Sequence, residues 1–331
     1  MLKSLQNQKK AKKMINLVDE IKEYNSIAIG AHIKPDGDAI GSTLGLFLYL
    51  TKVCPDKEIK LYLDKPLEHF NCIPGIENID SSYSGKDPEV FICVDTIPER
   101  LGNSEKYWKV AKKTINIDHH ITNANGSGDV NFVDPYASSA SELVYRLIPK
   151  EAMDKDIATA IYIGIIHDTG MLKYSSTSPD TLRAVADLIT YGFDFTSLVD
   201  ATFYEKTFLQ NVSSAKVVES SELHLDGKVI SSCVSLKTMK KWNCTSNDLD
   251  GVINQLRITQ GTELAVFMYQ TNASTYKISL RSKNFIDCTE IATDFGGGGH
   301  VRASGFYTTK TPEETMARIL ELTKLQYDRQ N

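Results

Sequence analysis

The sequence predicts an α/β protein: a doubly wound, mainly parallel sheet joined by a helical linker to a smaller α/β domain. Three observations carry this. Short apolar runs alternate with helical patterns over the first half of the chain, which is the order of a parallel sheet. Several of those runs end in acids or imidazoles: 26–31 before the loop 32–38, 90–94 before Asp95, 114–117 before Asp118-His119-His120, and 161–166 before His167-Asp168. From about residue 222 the pattern changes to strands with shorter helices between them. Ligands of open α/β sheets bind at the carboxyl ends of strands, so these acids and imidazoles are expected to converge. Oxygen and nitrogen donors without sulfur suit hard or borderline divalent ions such as Mn²⁺. So many shared ligands suit two ions, the arrangement that hydrolyses phosphate esters.

Element by element, Met14, Leu17, Val18 and Ile21 recur at helical spacing and predict a helix over about 5–24. A strand at 26–31 follows, then a helix over 39–53 marked by Leu44, Leu46, Phe47, Leu48 and Leu50. Strands are expected near 59–63, 90–95 and 114–118, and helices over 138–149 and 156–168, although Ile161–Ile166 also reads as a strand. Two more helices, 180–191 and 204–220, flank Gly192-Phe193-Asp194-Phe195. The domains are therefore drawn as 1–192, a linker at 193–221, and 222–331. In the last, Val229–Ser235, Leu264–Gln270 and Tyr276–Arg281 read as strands, with helices near 246–258, 288–294 and 312–326.

Composition narrows the function. The 331 residues carry a net charge of −5, whereas proteins that grip long nucleic acids show a basic excess or stripe. No long groove is expected, but a short anionic substrate held by a few cations is compatible. Lysines 3, 9, 10, 12 and 13 form a small basic cluster, read as a solvated helix face. No apolar stretch is long enough for a membrane span, and the lysine-rich start does not resemble a secretion signal. The six cysteines are scattered and form no Cys-x-x-Cys pair, as expected of reduced residues in a cytoplasmic protein without structural zinc.

His32, Asp36 and Asp38 place three potential ligands in one turn, stiffened by Pro35 and loosened by Gly37. Alone, that turn also reads as loop chemistry with a helix N-cap at Asp38 or Ser42. The joint occurrence with Asp95, Asp118-His119-His120 and Asp168, in order, is what points to a metal centre. Gly296–Gly299 is a second device: glycines let a backbone approach an anion and aim N–H groups at it. His300 follows it, and Arg281 lies on an expected strand; guanidinium binds phosphate bidentately.

The order of motifs, His-x-x-x-Asp-x-Asp-Ala-x-Gly-Ser at 32–42, Val-Asp-Thr at 94–96, Asp-His-His at 118–120 and Asp168, resembles the DHH phosphoesterase superfamily. Leu280-Arg281-Ser282 and 296–300 resemble its DHHA1 substrate domain, and the compact length is similar to the nanoRNase and pAp-phosphatase group. The resemblance implies one metal held by His32, Asp36 and Asp95, and a second held by Asp38, Asp95, His119 and Asp168, with Asp95 bridging. Two Mn²⁺ ions, replaceable by Mg²⁺ or Co²⁺, would share a hydroxide that attacks phosphorus. His120 is assigned to stabilising the transition state or protonating the leaving group, and Asp118 to hydrogen bonds that hold the histidines. Arg100, Arg281, Ser282, Gly297, Gly298, Gly299 and His300 are assigned to substrate, with Arg302 a helper.

The expected reaction is hydrolysis of short RNA and linear dinucleotides such as pApA to 5′-mononucleotides, with removal of the 3′-phosphate of pAp. A cyclic di-AMP phosphodiesterase is the alternative. A DHH-type pyrophosphatase, a processive single-strand exonuclease and a non-catalytic nucleotide-binding module rank lower. No membrane partner is expected, and a homodimer is compatible with the pattern.

Overall fold

The computed structural model describes residues 16–330. The lysine cluster and the first part of the helix expected over 5–24 lie outside them. Contacts divide the chain into two compact units that meet at Glu205–Lys206.

The first unit runs α1 (Leu17–Ile21), β1 (Ser26–Gly30), α2 (Gly37–Val53), β2 (Glu58–Tyr62), β3 (Val90–Val94), α3 (Glu105–Val110), β4 (Lys113–Asp118), β5 (Val130–Val133), α4 (Ala140–Leu147), α5 (Lys155–Asp168), α6 (Pro179–Ile189) and α7 (Phe195–Val199). Its sheet has the order β2-β1-β3-β4-β5, and every pair is parallel. Strand side chains alternate between two cores. Ile27, Ile29, Val90, Ile92 and Val94 join the core under α2, α4 and α5, whereas Ala28, Phe91 and Cys93 face the opposite layer with Tyr62, Leu101 and Tyr107. Burial on both faces explains why the strands read as continuous apolar runs. The chain leaves β1 for β2 on one side and returns to β3 on the other. That reversal is the switch point where a ligand crevice opens.

The stretch Ile161–Ile166 is helical, not a strand; Asp154 caps α5 with its carboxylate on the N–H groups of Asp156 and Ile157. Helix α2 is capped by Asp36, not by Asp38 or Ser42. The helix expected over 204–220 is two pieces, a π-turn at Asp200–Tyr204 and α8 (Phe208–Glu219), which opens the second unit.

The second unit continues with β6 (Glu222–His224), β7 (Val229–Val234), α9 (Leu236–Trp242), α10 (Val252–Arg257), β8 (Leu264–Gln270), β9 (Tyr276–Ser282), α11 (Cys288–Asp294), β10 (Gly298–His300), β11 (Ala303–Thr308) and α12 (Pro312–Asp328). Its sheet, β10-β11-β9-β8-β7-β6, is antiparallel except for the β7–β8 pair. The helix expected over 246–258 breaks at Gly251, whose φ of +71° ends a 3₁₀ turn before α10 begins.

Candidate metal centre and active site

Five segments end at one place on the first unit. The loop after β1 brings His32 and Asp36, the first turn of α2 brings Asp38, and the end of β3 brings Asp95. The end of β4 brings Asp118, His119 and His120, and the last residue of α5 is Asp168. Three overlapping groups have ligand atoms close enough to hold a metal ion: His32, Asp36 and Asp95; Asp38, His119 and Asp168; and Asp95, His119 and His120. All six sequence-predicted metal ligands are thus brought together, with His120 beside them.

Asp95 is the hinge of the arrangement. One carboxylate oxygen lies 3.6 Å from His32 Nε2, and the other lies 3.5 Å from His119 Nε2 and 3.8 Å from His120 Nδ1. The second oxygen is buried and has no hydrogen-bond partner. An orphaned buried carboxylate oxygen is costly unless a cation completes it. Asp95 also sits in the left-handed region at φ +59°, a strained setting for a non-glycine residue. Its N–H is tied to Ile117 O at 2.8 Å, which fixes the turn.

The surrounding charges have the same signature. His119 Nε2 lies 3.5 Å from Asp168 and 3.9 Å from Asp38. Burial, together with the charges of Asp95 and Asp168, pushes the Asp38 carboxyl up. Burial pushes Asp168 up to about 6, helped by the Asp95 and Asp36 charges. Its position at the C-terminus of α5, the negative end of the helix dipole, adds to the cost of its ionisation. Burial lowers His32 and His119, but their carboxylate neighbours outweigh it and raise both to about 10. Partial desolvation opposes ionisation of Asp36, yet the hydrogen bond from His32 and those from the N–H groups of Ala39 and Asp38 hold it down at about 2. Crowded acids that hold protons on their imidazoles are what a divalent cation relieves. With only nitrogen and oxygen donors present, the residues fit a metal ion.

Two of the three histidines, His32 and His120, are aimed from behind. His32 Nδ1 is 2.9 Å from Ile33 O, which leaves Nε2 for the centre. His120 Nδ1 is 2.7 Å from Asp118, and that contact raises the His120 imidazole. Asp118 is fully buried and accepts from the N–H groups of His119 and His120 and from Asn123 Nδ2 at 2.6 Å. Asn123 also donates to Asn116, whose amide donates to the carbonyls of Cys93 and Thr96. Asp118 was expected to hold the histidines, but Asn123 and Asn116 behind it were not visible in the sequence, because lone asparagines carry no pattern.

Asp38 has its own support. Its two oxygens accept the N–H groups of Ala140 and Ser141 at 2.7 and 2.9 Å, at the start of α4. Helix α5 approaches both α2 and α4 closely enough to allow this: a Cβ on Gly41 of α2 would lie 2.5 Å from Ala160 O of α5, and one on Gly164 of α5 would lie 1.8 Å from Ser141 Oγ of α4. The spacing Ser139-x-x-Glu142, a capping signature, was the available signal for this turn. Arg100 lies near the loop: its carbonyl accepts Ile33 N–H at 3.0 Å, and its side chain is exposed.

In the second unit, the residues assigned to substrate share one part of the sheet. Arg281 of β9 is opposite Ala303 of β11, which is opposite His300 of β10, so the three lie in one row. Arg281 donates to Leu280 O at 2.9 Å, and His300 is exposed. Ser282 is buried, with its hydroxyl 3.5 Å from Arg302 Nη1. The N–H groups of Gly296 and Gly297 close the end of α11 on Thr293 and Ala292. Gly299 has φ +145°, while a Cβ on Gly298 would meet open space.

Comparison with known proteins agrees with this geometry. Residues 26–165 match the model of the DHH family N-terminal domain, and residues 226–326 match the DHHA1 domain. The chain is 32% identical to a Streptococcus mutans protein named probable bifunctional oligoribonuclease and PAP phosphatase NrnA, over 93% of this chain and 98% of that one. It is 27% identical to the Bacillus subtilis protein named bifunctional oligoribonuclease and PAP phosphatase NrnA, with the same coverage of 93% and 98%. A crystal structure of an exopolyphosphatase-related protein from Bacteroides fragilis superposes with a TM-score of 0.84 at 25% identity, covering 95% of this chain and 97% of that one.

Proposed function

The chain belongs to the DHH phosphoesterase family in the form that carries a DHHA1 domain, and from that premise we propose that it hydrolyses short oligoribonucleotides and linear dinucleotides such as pApA to 5′-mononucleotides, and also removes the 3′-phosphate of pAp. The names of the Streptococcus and Bacillus relatives support the substrate class. The observation that carries the chemistry is Asp95, whose two oxygens face two different histidines.

In this reading His32, Asp36 and Asp95 hold one divalent ion, and Asp38, Asp95, His119 and Asp168 hold the other. Mn²⁺ is the proposed ion, with Mg²⁺ or Co²⁺ as substitutes. When bound, such a pair supplies positive charge at the phosphate and water acidified toward neutrality. The protein's own groups do the rest. His120, whose imidazole the hydrogen bond to Asp118 raises, gives a proton from Nε2 to the departing ribose oxygen. Asp118 stays ionised: burial opposes its charge, but the hydrogen bonds of His120 and Asn123 hold it low, so it keeps the His120 ring in one orientation. Arg281, His300 and Gly297–Gly299 of the second unit bind a phosphate or base of the substrate, and Arg100 of the first unit binds a phosphate. The free thiols at Cys72 and Cys233 suit a cytoplasmic location.

The test is a product assay in Mn²⁺ buffer on pApA, a 5′-phosphorylated RNA pentamer, pAp, cyclic di-AMP and pyrophosphate. Fast conversion of pApA to AMP, with slower pentamer and pAp turnover, is the expected result. Cleavage of cyclic di-AMP or pyrophosphate alone would replace this reading.

A further inference from the structure

Glu142 lies one turn into α4 and is 1% exposed, yet it is a carboxylate. It is not a metal ligand in any of the groups above. One oxygen accepts Ser138 N–H at 3.0 Å, Ser138 Oγ at 2.6 Å and Thr181 Oγ1 of α6 at 2.8 Å; the other pairs with the Arg146 guanidinium. Arg146 is itself held by Asp134, at 2.7 Å. Four donors around one buried carboxylate are enough to repay its desolvation, and they tie three segments together. Those segments are the turn before α4, α4 itself and the start of α6.

The turn so fixed is the one that meets the metal centre. Ser139 caps α4 by accepting Glu142 N–H at 3.0 Å, which leaves the N–H groups of Ala140 and Ser141 pointing out of the helix end. Both are taken by Asp38, one on each oxygen. Asp38 is 2% exposed, and its carboxylate therefore has one orientation in which its remaining lone pairs face His119.

We propose that Glu142 is a positioning residue for the second metal ion: by locking residues 138–141 it makes the α4 N-terminus hold Asp38 in its ligating orientation. This rests on the two-ion reading above. A purely structural Glu142 would change thermal stability and leave metal affinity alone. A positioning Glu142 changes the affinity of one ion of the two.

The experiment is a calorimetric Mn²⁺ titration of metal-stripped wild type, Glu142→Gln and Thr181→Val, with pApA kinetics on the same samples. The glutamine variant keeps the shape, loses the charge that pairs with Arg146, and cannot accept at both ends. The inference predicts that its second Mn²⁺ binds tenfold or more weakly while the first is unchanged. It also predicts that kcat falls at fixed Mn²⁺ with KM for pApA little altered, and that excess Mn²⁺ restores kcat. Wild-type affinity for both ions in folded Glu142→Gln overturns the inference. If that variant does not fold, Thr181→Val decides. It removes the Thr181 donor to Glu142 and, with it, the acceptor of Ser178 N–H in the α6 cap, and touches none of the metal-site residues; threefold weaker second-ion binding is expected, and unchanged binding overturns the inference. A wild type that binds fewer than two ions overturns the two-ion reading itself, and this inference with it.

Discussion

At the scale of single residues, the centre is a set of acids arranged so that protein alone cannot satisfy them. Asp95→Ala removes the carboxylate that faces both histidine groups, so pApA turnover should fall by about 10³-fold or more, a loss of about 4 kcal/mol in transition-state stabilisation. Steady-state kinetics in saturating Mn²⁺ measure it; activity within tenfold of wild type would contradict the bridging role. The pH dependence has a definite sign. In the metal-free protein His32 and His119 are raised from 6.5 to about 10, so both are charged at neutral pH. Their contribution to stability is complete below pH 6.5 and is lost as pH rises through about 10. A metal binds only the neutral imidazole, so Mn²⁺ binding should release protons, and its affinity should climb from pH 7 toward 10. Titration in two buffers of different ionisation enthalpy reads the proton count, and zero release would refute the charged histidines. The gathering of these acids and imidazoles was legible in the sequence because apolar runs announce the ends of buried elements and the residue types after them are few. The Asp118–Asn123–Asn116 chain was not legible, since a hydrogen-bond network between distant residues has no periodicity.

At the scale of elements, the close packing of α5 against α4 and α2 sets the site. Gly164→Ala would place a Cβ 1.8 Å from Ser141 Oγ and 3.0 Å from Asp38 Oδ1, so α4 or α5 must move. A loss of about 1–3 kcal/mol, as for other overpacked cores, is expected from thermal or urea denaturation, together with weaker Mn²⁺ binding. Gly298→Ala, which meets open space, serves as the contrast and should stay within about 0.5 kcal/mol of wild type. Equal effects from the two would show that the helix crossing is not the tight point. The long apolar elements were readable, and helix 288–294 was placed within its observed bounds. The short ones were missed. Strand β5 has four residues, β6 and β10 have three each, and β11 begins Ala-Ser-Gly, too small and polar to read as a strand. The ambiguous 161–166 run became helix because its length and cap decide where periodicity cannot.

At the scale of the whole molecule, chemistry and substrate capture are assigned to different units of one chain. Arg281→Ala should raise KM for pApA by about 10–100-fold, the worth of a charge-assisted hydrogen bond, with both ions still bound. Loss of metal on that substitution would contradict the division of labour. The two-unit plan and the doubly wound first sheet were legible from the change of pattern near residue 222. The strand order of the second sheet was not, because β11 pairs with β9 across the intervening α11 and β10, and β10 is too short and glycine-rich to read as a strand. In the proposed reaction, paired divalent ions held by His32, Asp36, Asp38, Asp95, His119 and Asp168 drive hydrolysis of a short nucleotide. The most direct measurement adds Mn²⁺ stepwise to EDTA-stripped protein and records bound metal and AMP release from pApA in the same sample. Turnover should appear as the second equivalent binds; full turnover at one equivalent or none would rule out a paired-ion mechanism.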